Sequence, residues 1–362
     1  MLFVLLGILF GSWAARIPSV RDALHLSAAQ LGLVLLCGGI GAILAFPISA
    51  WMITHFQARR TVLYSGIGVL LWLVGMAAAS RIELLMAALI GFGVCASTFD
   101  VAINLVGARV EQIAQRSIMS MMHAWYCVGT FGGALMGSAM AALSIAPLPH
   151  FSIVASLLVL PLWFAYGALP EDEINSGARK KIFAMPHGAL ILLGILGFCA
   201  AIAEGSVGDW SGIYMKDHFR AGEAVAPLAY AAFAAMMLGA RLTGDRLKDR
   251  FGARRVIVLG ALLSAGGISI SVLTSSIPLA IVGFALSGAG VAVNFPFIFS
   301  AAGKHGGTAL AGVATFGYSG TLIGPPMIGL IAEVHGLQMG IAFIGLLSLA
   351  VAIAASRARA LE

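Results

Sequence analysis

Long uninterrupted apolar runs constrain this chain more than any other feature of its sequence. Twelve such runs, each of roughly 20 residues or more, stand between charged or proline-containing breaks. A helix of that length matches the apolar thickness of a bilayer, whereas a barrel strand is about half as long. Backbone groups in lipid must be paired internally, so we predict an all-α membrane protein with twelve transmembrane helices. The predicted spans are 1–19, 29–53, 61–80, 84–108, 117–143, 149–169, 187–215, 226–244, 255–275, 277–301, 308–333 and 337–356.

The charges of the chain are too few to cover a water-soluble surface. Only 10% of the residues are charged and 60% are hydrophobic, whereas about a quarter of the residues of a soluble domain are charged. The net charge of +6 would suit nucleic acid, but the charges fall in short clusters between apolar runs, as they do in membrane loops. We therefore expect a lipid bilayer around the protein and no nucleic-acid partner.

The distribution of basic residues predicts the orientation in the membrane. Sixteen of the 21 Lys and Arg residues fall on one side of the predicted spans and five on the other. The side rich in Lys and Arg is normally cytoplasmic. Both termini and the longest polar connection, EDEINSGARKK, are then cytoplasmic.

Sequence similarity between the two halves predicts an internal duplication. One register, with offsets between 188 and 197 residues, relates four pairs of segments. We predict six-helix bundles at 1–169 and 187–362, joined by a cytoplasmic linker at 170–186. Duplicated halves of this kind are typical of transporters. The paired segments are HFQARR (55–60) with RFGARR (250–255), GSW (11–13) with GDW (208–210), DVAIN (100–104) with GVAVN (290–294), and the glycine pair 129/132 with 317/320.

The loop DRLKDRFGARR, at 245–255, resembles the signature between spans eight and nine of the major facilitator superfamily. GSWAARIP, DVAIN, MHAWYCVG and EGSVGDW resemble one branch of it, the MosC-like membrane proteins of rhizopine gene clusters, which is loosely similar to fucose-type permeases. The resemblance covers essentially the whole chain. It implies a monomeric transporter of the bacterial inner membrane, with spans one, four, seven and ten lining the substrate cavity.

Two departures argue against the drug exporters of that superfamily. Exporters usually carry an Arg four residues before the glycine that is Gly91 here, and this chain has Ala87. They also carry a Gly-Pro motif in span five, where this chain reads GGALMGSAMAA.

Three residues are candidates for proton coupling: Asp100, Glu204 and His123. An ionised carboxylate among lipid tails is costly, so each acid is expected to face the bundle interior with a partner or a proton. Asp100 either carries a proton or only fixes helix packing. Glu204 either couples protons or binds the substrate, or it is a buried acid that pairs with a backbone group or with His123. His123 either forms a relay with Asp100 or is a packing residue.

Further polar and aromatic residues on the cavity-lining spans are candidates for substrate binding. Polar residues spaced by three or four in span four share one helical face. The two Trp residues are either interfacial anchors or a wall on which a flat solute stacks. Arg16 either snorkels to the outer surface or meets an anionic substrate group. The substrate-binding candidates are Trp13, Ser97, Asn104, Asp209, Trp210 and Asn294, which precedes a predicted helix break at Pro296.

Two features are expected to serve the motion of the halves. By resemblance, the loop after span eight is a cytoplasmic gate whose acids and arginines exchange partners; the alternative is a solvated basic surface. The glycine pairs of spans five and eleven are expected to allow close approach between the halves. The gate residues are Asp245, Asp249, Arg250, Arg254 and Arg255.

These features together predict a secondary active transporter. We expect a proton-coupled carrier of a small polar solute, such as a sugar, a polyol or a modified amino compound; the alternative is a drug or metabolite exporter of the same superfamily. Two buried acids without a basic cluster favour a neutral or cationic solute. No HExxH, GxSxG or P-loop motif occurs, so an enzyme is not expected. No cofactor and no metal are expected, because the loop histidines are far apart along the chain.

Overall fold

A computed structural model describes residues 1–115, 119–170 and 190–361. Every regular element in these ranges is helical, which confirms the predicted all-α class. The helices are α1 (Leu2–Ala23), α2 (Ala28–Ala78), α3 (Ile82–Ala114), α4 (Met119–Ala142), α5 (Pro147–Ala168), α6 (Leu190–Phe219), α7 (Leu228–Phe251), α8 (Ala253–Leu273), α9 (Ile277–Val291), α10 (Asn294–Gly303), α11 (Gly307–His335) and α12 (Leu337–Arg357), followed by a 3-10 turn at Arg359–Leu361.

The membrane-spanning character of the helices is clear, while their number stays a prediction. Within the described residues, eight helical segments are long and apolar enough to cross a bilayer, counting α9 with α10 as one. The helix α2 covers two predicted spans, because it runs for 51 residues and is interrupted only at Gln57, where φ is 68° and ψ is 160°. Conversely, α9 and α10 share one predicted span, 277–301, which is broken at residues 292–293.

The chain divides into two compact units. The first consists of Met1–Leu26 and the described residues of 33–178, and the second consists of Ser27–Gly32 and the described residues of 179–362. The predicted linker lies outside the described residues, apart from its first residue. The predicted limits of the two bundles stay a prediction.

Glycines bring two helices into backbone contact inside each unit. In the first unit, a Cβ atom at Gly7 of α1 would overlap the Tyr126 carbonyl of α4, and one at Gly129 would overlap the Val4 carbonyl. In the second unit, a Cβ atom at Gly317 of α11 would lie 3.5 Å from the Cα atom of Gly197 of α6. Small residues allow such approach where lipid supplies no hydrophobic drive between helices. These contacts hold α1 to α4 and α6 to α11.

These contacts correct the role predicted for the glycine pairs. Gly129 and Gly317 pack against helices of their own unit, as does Gly320, where a Cβ atom would overlap the Phe198 carbonyl. Gly132 has open space, because no atom lies within 4 Å of a Cβ atom built there. The sequence pattern identified close helix packing but not the helix against which each glycine packs.

One arginine in each unit binds the end of that unit's last described α-helix. The Arg59 Nε atom donates to the Tyr166 carbonyl in the last turn of α5 at 3.2 Å, and its guanidinium lies 4.8 Å from the Tyr166 ring centre. Arg254 donates to the Ser356 carbonyl in the last turn of α12. A cation is favourable at this end of a helix, where carbonyl groups lack partners. Arg59 and Arg254 are equivalent in the predicted repeat, and they make equivalent contacts.

Candidate functional site

The central feature of the second unit is an ion pair between two helices. The Arg241 Nη2 atom of α7 lies 3.1 Å from the Glu204 Oε1 atom of α6. The side chains are only 20% and 22% exposed, respectively. The other carboxylate oxygen, Oε2, is buried and accepts no hydrogen bond from the described residues. Glu204 therefore has a charged partner and one acceptor that is open to a proton or a ligand donor.

Arg241 also reaches the interruption between α9 and α10. Its Nε atom donates to the Ala292 carbonyl at 3.2 Å. Asn294, the first residue of α10, is 1% exposed, and its Oδ1 atom has no hydrogen-bond partner among the described residues. The predicted break beside Pro296 is confirmed, and it lies within reach of the ion pair.

Arg241 is the site residue that the sequence analysis missed. It was counted among the cytoplasmic arginines, and the partners considered for Glu204 were a backbone group or His123. The partner of Glu204 is instead a guanidinium of the same unit. The position of Arg241 inside the predicted span 226–244 was a usable signal, because a charge within an apolar run requires a partner.

The tryptophans do not form the predicted stacking wall. Trp13 is 6% exposed and lies 6.5 Å from the Phe151 ring between ring centres. Trp210 is completely buried in the second unit. Both rings are buried, so neither offers an open face to a solute in this structure. Asp209 is partly exposed, so its carboxylate remains a candidate ligand-binding group.

In the first unit, a polar face runs along α3 as the spacing predicted. The Asn104 Nδ2 atom donates to the Asp100 carboxylate at 3.0 Å and to the Asp100 carbonyl at 2.9 Å. Asp100 is an exposed residue. Ser97 lies one turn earlier and is partly exposed. These side chains remain candidates for binding a polar ligand or a proton.

His123 packs against an aromatic ring, which agrees with one of its two predicted roles, and Arg16 is buried. The exposed His123 ring packs edge-on against Phe3, with ring centres 5.2 Å apart, while the Asp100 carboxylate is bonded by Asn104. A relay between His123 and Asp100 therefore stays a prediction. Arg16 does not snorkel, since it is 3% exposed and donates to the Ile145 carbonyl at 2.6 Å.

The predicted cytoplasmic gate is helical rather than a loop, because α7 ends at Phe251 and α8 begins at Ala253. Four of the five predicted gate residues are exposed: Asp245, Asp249, Arg250 and Arg255. The fifth, Arg254, is partly exposed and bonds the end of α12. Exchange of partners between these groups stays a prediction.

Comparison with known proteins identifies the family. The profile of the Major Facilitator Superfamily matches residues 193–361. The chain is 33% identical over 359 residues to an uncharacterised MFS-type transporter of Yersinia pestis, covering 98% of this chain and 93% of that protein. The chain belongs to the major facilitator superfamily. This superfamily member is also 29% identical over 352 residues to the membrane protein MosC of Rhizobium meliloti, covering 94% of this chain and 84% of MosC.

A solved structure supports the same fold for this superfamily member. The nucleoside transporter NupG matches with a TM-score of 0.76 at 15% identity, covering 99% of this chain and 97% of NupG. At that identity the likeness concerns the fold alone. Superfamily membership and the apolar helices together make the protein a multi-pass membrane transporter.

Proposed function

We propose that this transporter is a proton-coupled carrier of a small polar solute that works by alternating access. The solute is neutral or cationic: a sugar, a polyol or a modified amino compound. The protein would act as a monomer in the bacterial inner membrane, with both termini cytoplasmic.

One observation carries this proposal: carboxylates outnumber cations on the polar faces of α3 and α6. Asp100, Glu204 and Asp209 are acids on these helices, and Arg241 is the cation that pairs with one of them. Ionisable groups within membrane spans are costly and are functional by default. A carboxylate that alternates between a proton and another partner is a simple way to link proton entry to solute movement.

The charge of these groups also favours the solute class. Two buried acceptors near the Arg241 ion pair, Glu204 Oε2 and Asn294 Oδ1, have no partner among the described residues and call for hydrogen-bond donors on a ligand. Hydroxyl and amino groups are such donors, whereas a multiply anionic solute would meet an excess of carboxylates. Arg241 compensates part of the negative charge that was predicted for the site. The carboxylates still outnumber the cations, so the net charge of these groups stays negative.

The first test is a thermal-stability screen of the purified protein in detergent. Sugars, polyols, amino compounds and hydrophobic drugs are compared at about pH 6 and about pH 8, since any ligand that binds the folded state raises its stability. We expect stabilisation by one narrow class of polar compounds. Stabilisation by many apolar drugs and by no polar solute would support the exporter alternative instead.

The compound found in this way then allows a test of proton coupling in proteoliposomes. The double variant Asp100→Asn/Glu204→Gln is expected to lose uptake driven by a pH gradient while it still exchanges solute across the membrane. The matched control is Glu83→Gln, which removes an exposed acid from the first turn of α3 and should leave uptake unchanged. Unaltered gradient-driven uptake by the double variant would refute proton coupling through these acids.

A further inference from the structure

The break between α9 and α10 leaves a carbonyl group without its helical donor. In a continuous helix the N–H of residue 296 would bond the carbonyl of Ala292, but Pro296 has no N–H. The hydrogen-bond ladder resumes one residue later, where the Phe297 N–H donates to the Val293 carbonyl at 3.1 Å. Ala292 is completely buried and Val293 is 5% exposed. An unpaired carbonyl in such a place is costly.

Arg241 supplies the missing donor from another helix. Its Nε atom lies 3.2 Å from the Ala292 oxygen, while its Nη2 atom bonds Glu204 at 3.1 Å. The planar guanidinium fixes the relative positions of these two nitrogens, so one side chain holds both partners. The carboxylate of α6 and the broken helix are therefore joined through a single rigid group.

The same face of α7 also contacts residues at the break and after it. Gly244 lies one turn after Arg241, and a Cβ atom there would lie only 2.9 Å from the Val293 Cγ1 atom. Lys248, a turn further, lies 3.2 Å from the Ser300 hydroxyl and 5.3 Å from the Phe297 ring centre. Residues of α7 therefore contact the chain at the break and side chains in the first two turns of α10, and Arg241 is the contact at the break itself.

We propose that Arg241 is a positioning residue that replaces the peptide N–H missing at Pro296 and thereby links Glu204 to the break between α9 and α10. A change in the partner of Glu204 then alters the anchoring of the broken helix. This inference rests on the proposed function only in assuming that Glu204 changes its partner during transport.

A double-mutant cycle between residues 241 and 296 tests whether the Arg241 side chain takes the place of the peptide N–H that Pro296 lacks. All four proteins carry Glu204→Gln, so that removing Arg241 never leaves the Glu204 carboxylate buried without its cation, and their melting temperatures are measured in detergent. We expect the decrease in melting temperature caused by Arg241→Met to be roughly halved in the presence of Pro296→Ala, because the alanine restores an N–H near the Ala292 carbonyl. An equal decrease in melting temperature with Pro296 and with Pro296→Ala would overturn the proposal.

A matched control separates this coupling from the general effect of removing a helix proline. Pro161 lies inside α5 of the first unit. The changes in melting temperature caused by Pro161→Ala and by Arg241→Met should simply add. If Arg241→Met yields no folded protein, Arg241→Lys serves in the same cycle, because lysine keeps the charge but has a carbon where the Nε atom of arginine donates to the Ala292 carbonyl.

Hydrogen–deuterium exchange tests the link to Glu204. We expect Glu204→Gln to speed backbone exchange in peptides covering 289–300 by roughly threefold or more, and to have no such effect when Arg241→Met is already present. A role of Arg241 in packing alone predicts the same response to Glu204→Gln in both backgrounds, and that result would overturn the proposed link. Neither measurement uses a solute or a proton gradient. The inference can therefore fail while the proposed carrier function holds, and the carrier function can fail while the inference holds.

Discussion

Gln57 and Gly252 share one backbone conformation, although only one of them is a glycine. The φ and ψ angles are 68° and 160° at Gln57, and 80° and 148° at Gly252. They occupy equivalent positions of the internal repeat, and each is followed two residues later by the arginine that binds the end of α5 or α12. This region of φ and ψ is occupied almost only by glycine, so the first unit keeps the geometry at an energetic cost.

Replacing Gln57 by glycine should therefore stabilise the protein. Relief of the backbone strain, about 1–3 kcal/mol, exceeds the entropy cost of glycine, about 0.5–1 kcal/mol, so we expect a net gain of about 1 kcal/mol. Thermal unfolding in detergent measures this gain. The same chemical change at Gln112, inside α3, should instead cost about 1 kcal/mol, because glycine disfavours a helix interior. A loss of stability at both positions would contradict the assignment of strain to Gln57.

Breaking the ion pair of the second unit should destabilise it more than removing both charges. Arg241→Met leaves the Glu204 carboxylate half-buried without its cation, and we expect a loss of about 2–4 kcal/mol. Adding Glu204→Gln should recover part of that loss, since an amide carries no charge. The melting temperatures of the two single variants and the double variant give the coupling. Strictly additive losses would mean that the two charges do not interact.

The glycines of α4 provide a paired test of helix packing. Gly129→Ala places a Cβ atom onto the Val4 carbonyl of α1, so we expect a loss of several kcal/mol, of the size seen on overpacking, or failure to fold. Gly132→Ala meets no atom within 4 Å and should be neutral or slightly stabilising, because alanine favours a helix. The yield of monodisperse protein on size exclusion and its melting temperature report both effects. Equal tolerance at the two positions would contradict the backbone contact between α1 and α4.

The two arginines of each repeated loop should differ in their contribution to stability. Arg59→Met removes the hydrogen bond and the ring contact at Tyr166, and we expect a loss of about 1–2 kcal/mol. Arg60→Met alters an exposed side chain and should change stability by less than about 0.5 kcal/mol. Arg254→Met and Arg255→Met should repeat this contrast in the second unit. Similar losses within each pair, measured by thermal unfolding, would refute a structural role for the first arginine.

Local sequence signals predicted the helical class and the positions where helices bend. Apolar runs of membrane-spanning length do not depend on tertiary context, and Pro296 removes a hydrogen bond wherever it stands. The polar face of α3 follows from helical spacing alone, which explains why Asn104 and Asp100 were placed together.

Contacts between helices distant in sequence were harder to predict. The pairing of Glu204 with Arg241 depends on how α6 packs against α7, and a count of charges by membrane side assigned Arg241 to the cytoplasmic side. Trp13 and Trp210 have the aromatic character of a binding wall, but both are buried. Gly129 marked a close approach without revealing that α1 is the partner helix.

The anchoring of the broken helix has a consequence for the descent of the family. Arginine at 241 and proline at 296 are expected to be inherited together, because each makes the other tolerable: the proline removes a donor, and the arginine restores one. A lineage that replaces Pro296 regains its own peptide N–H and no longer needs that arginine for the carbonyl. Relatives in which the two positions vary independently would show that natural selection does not treat them as a pair.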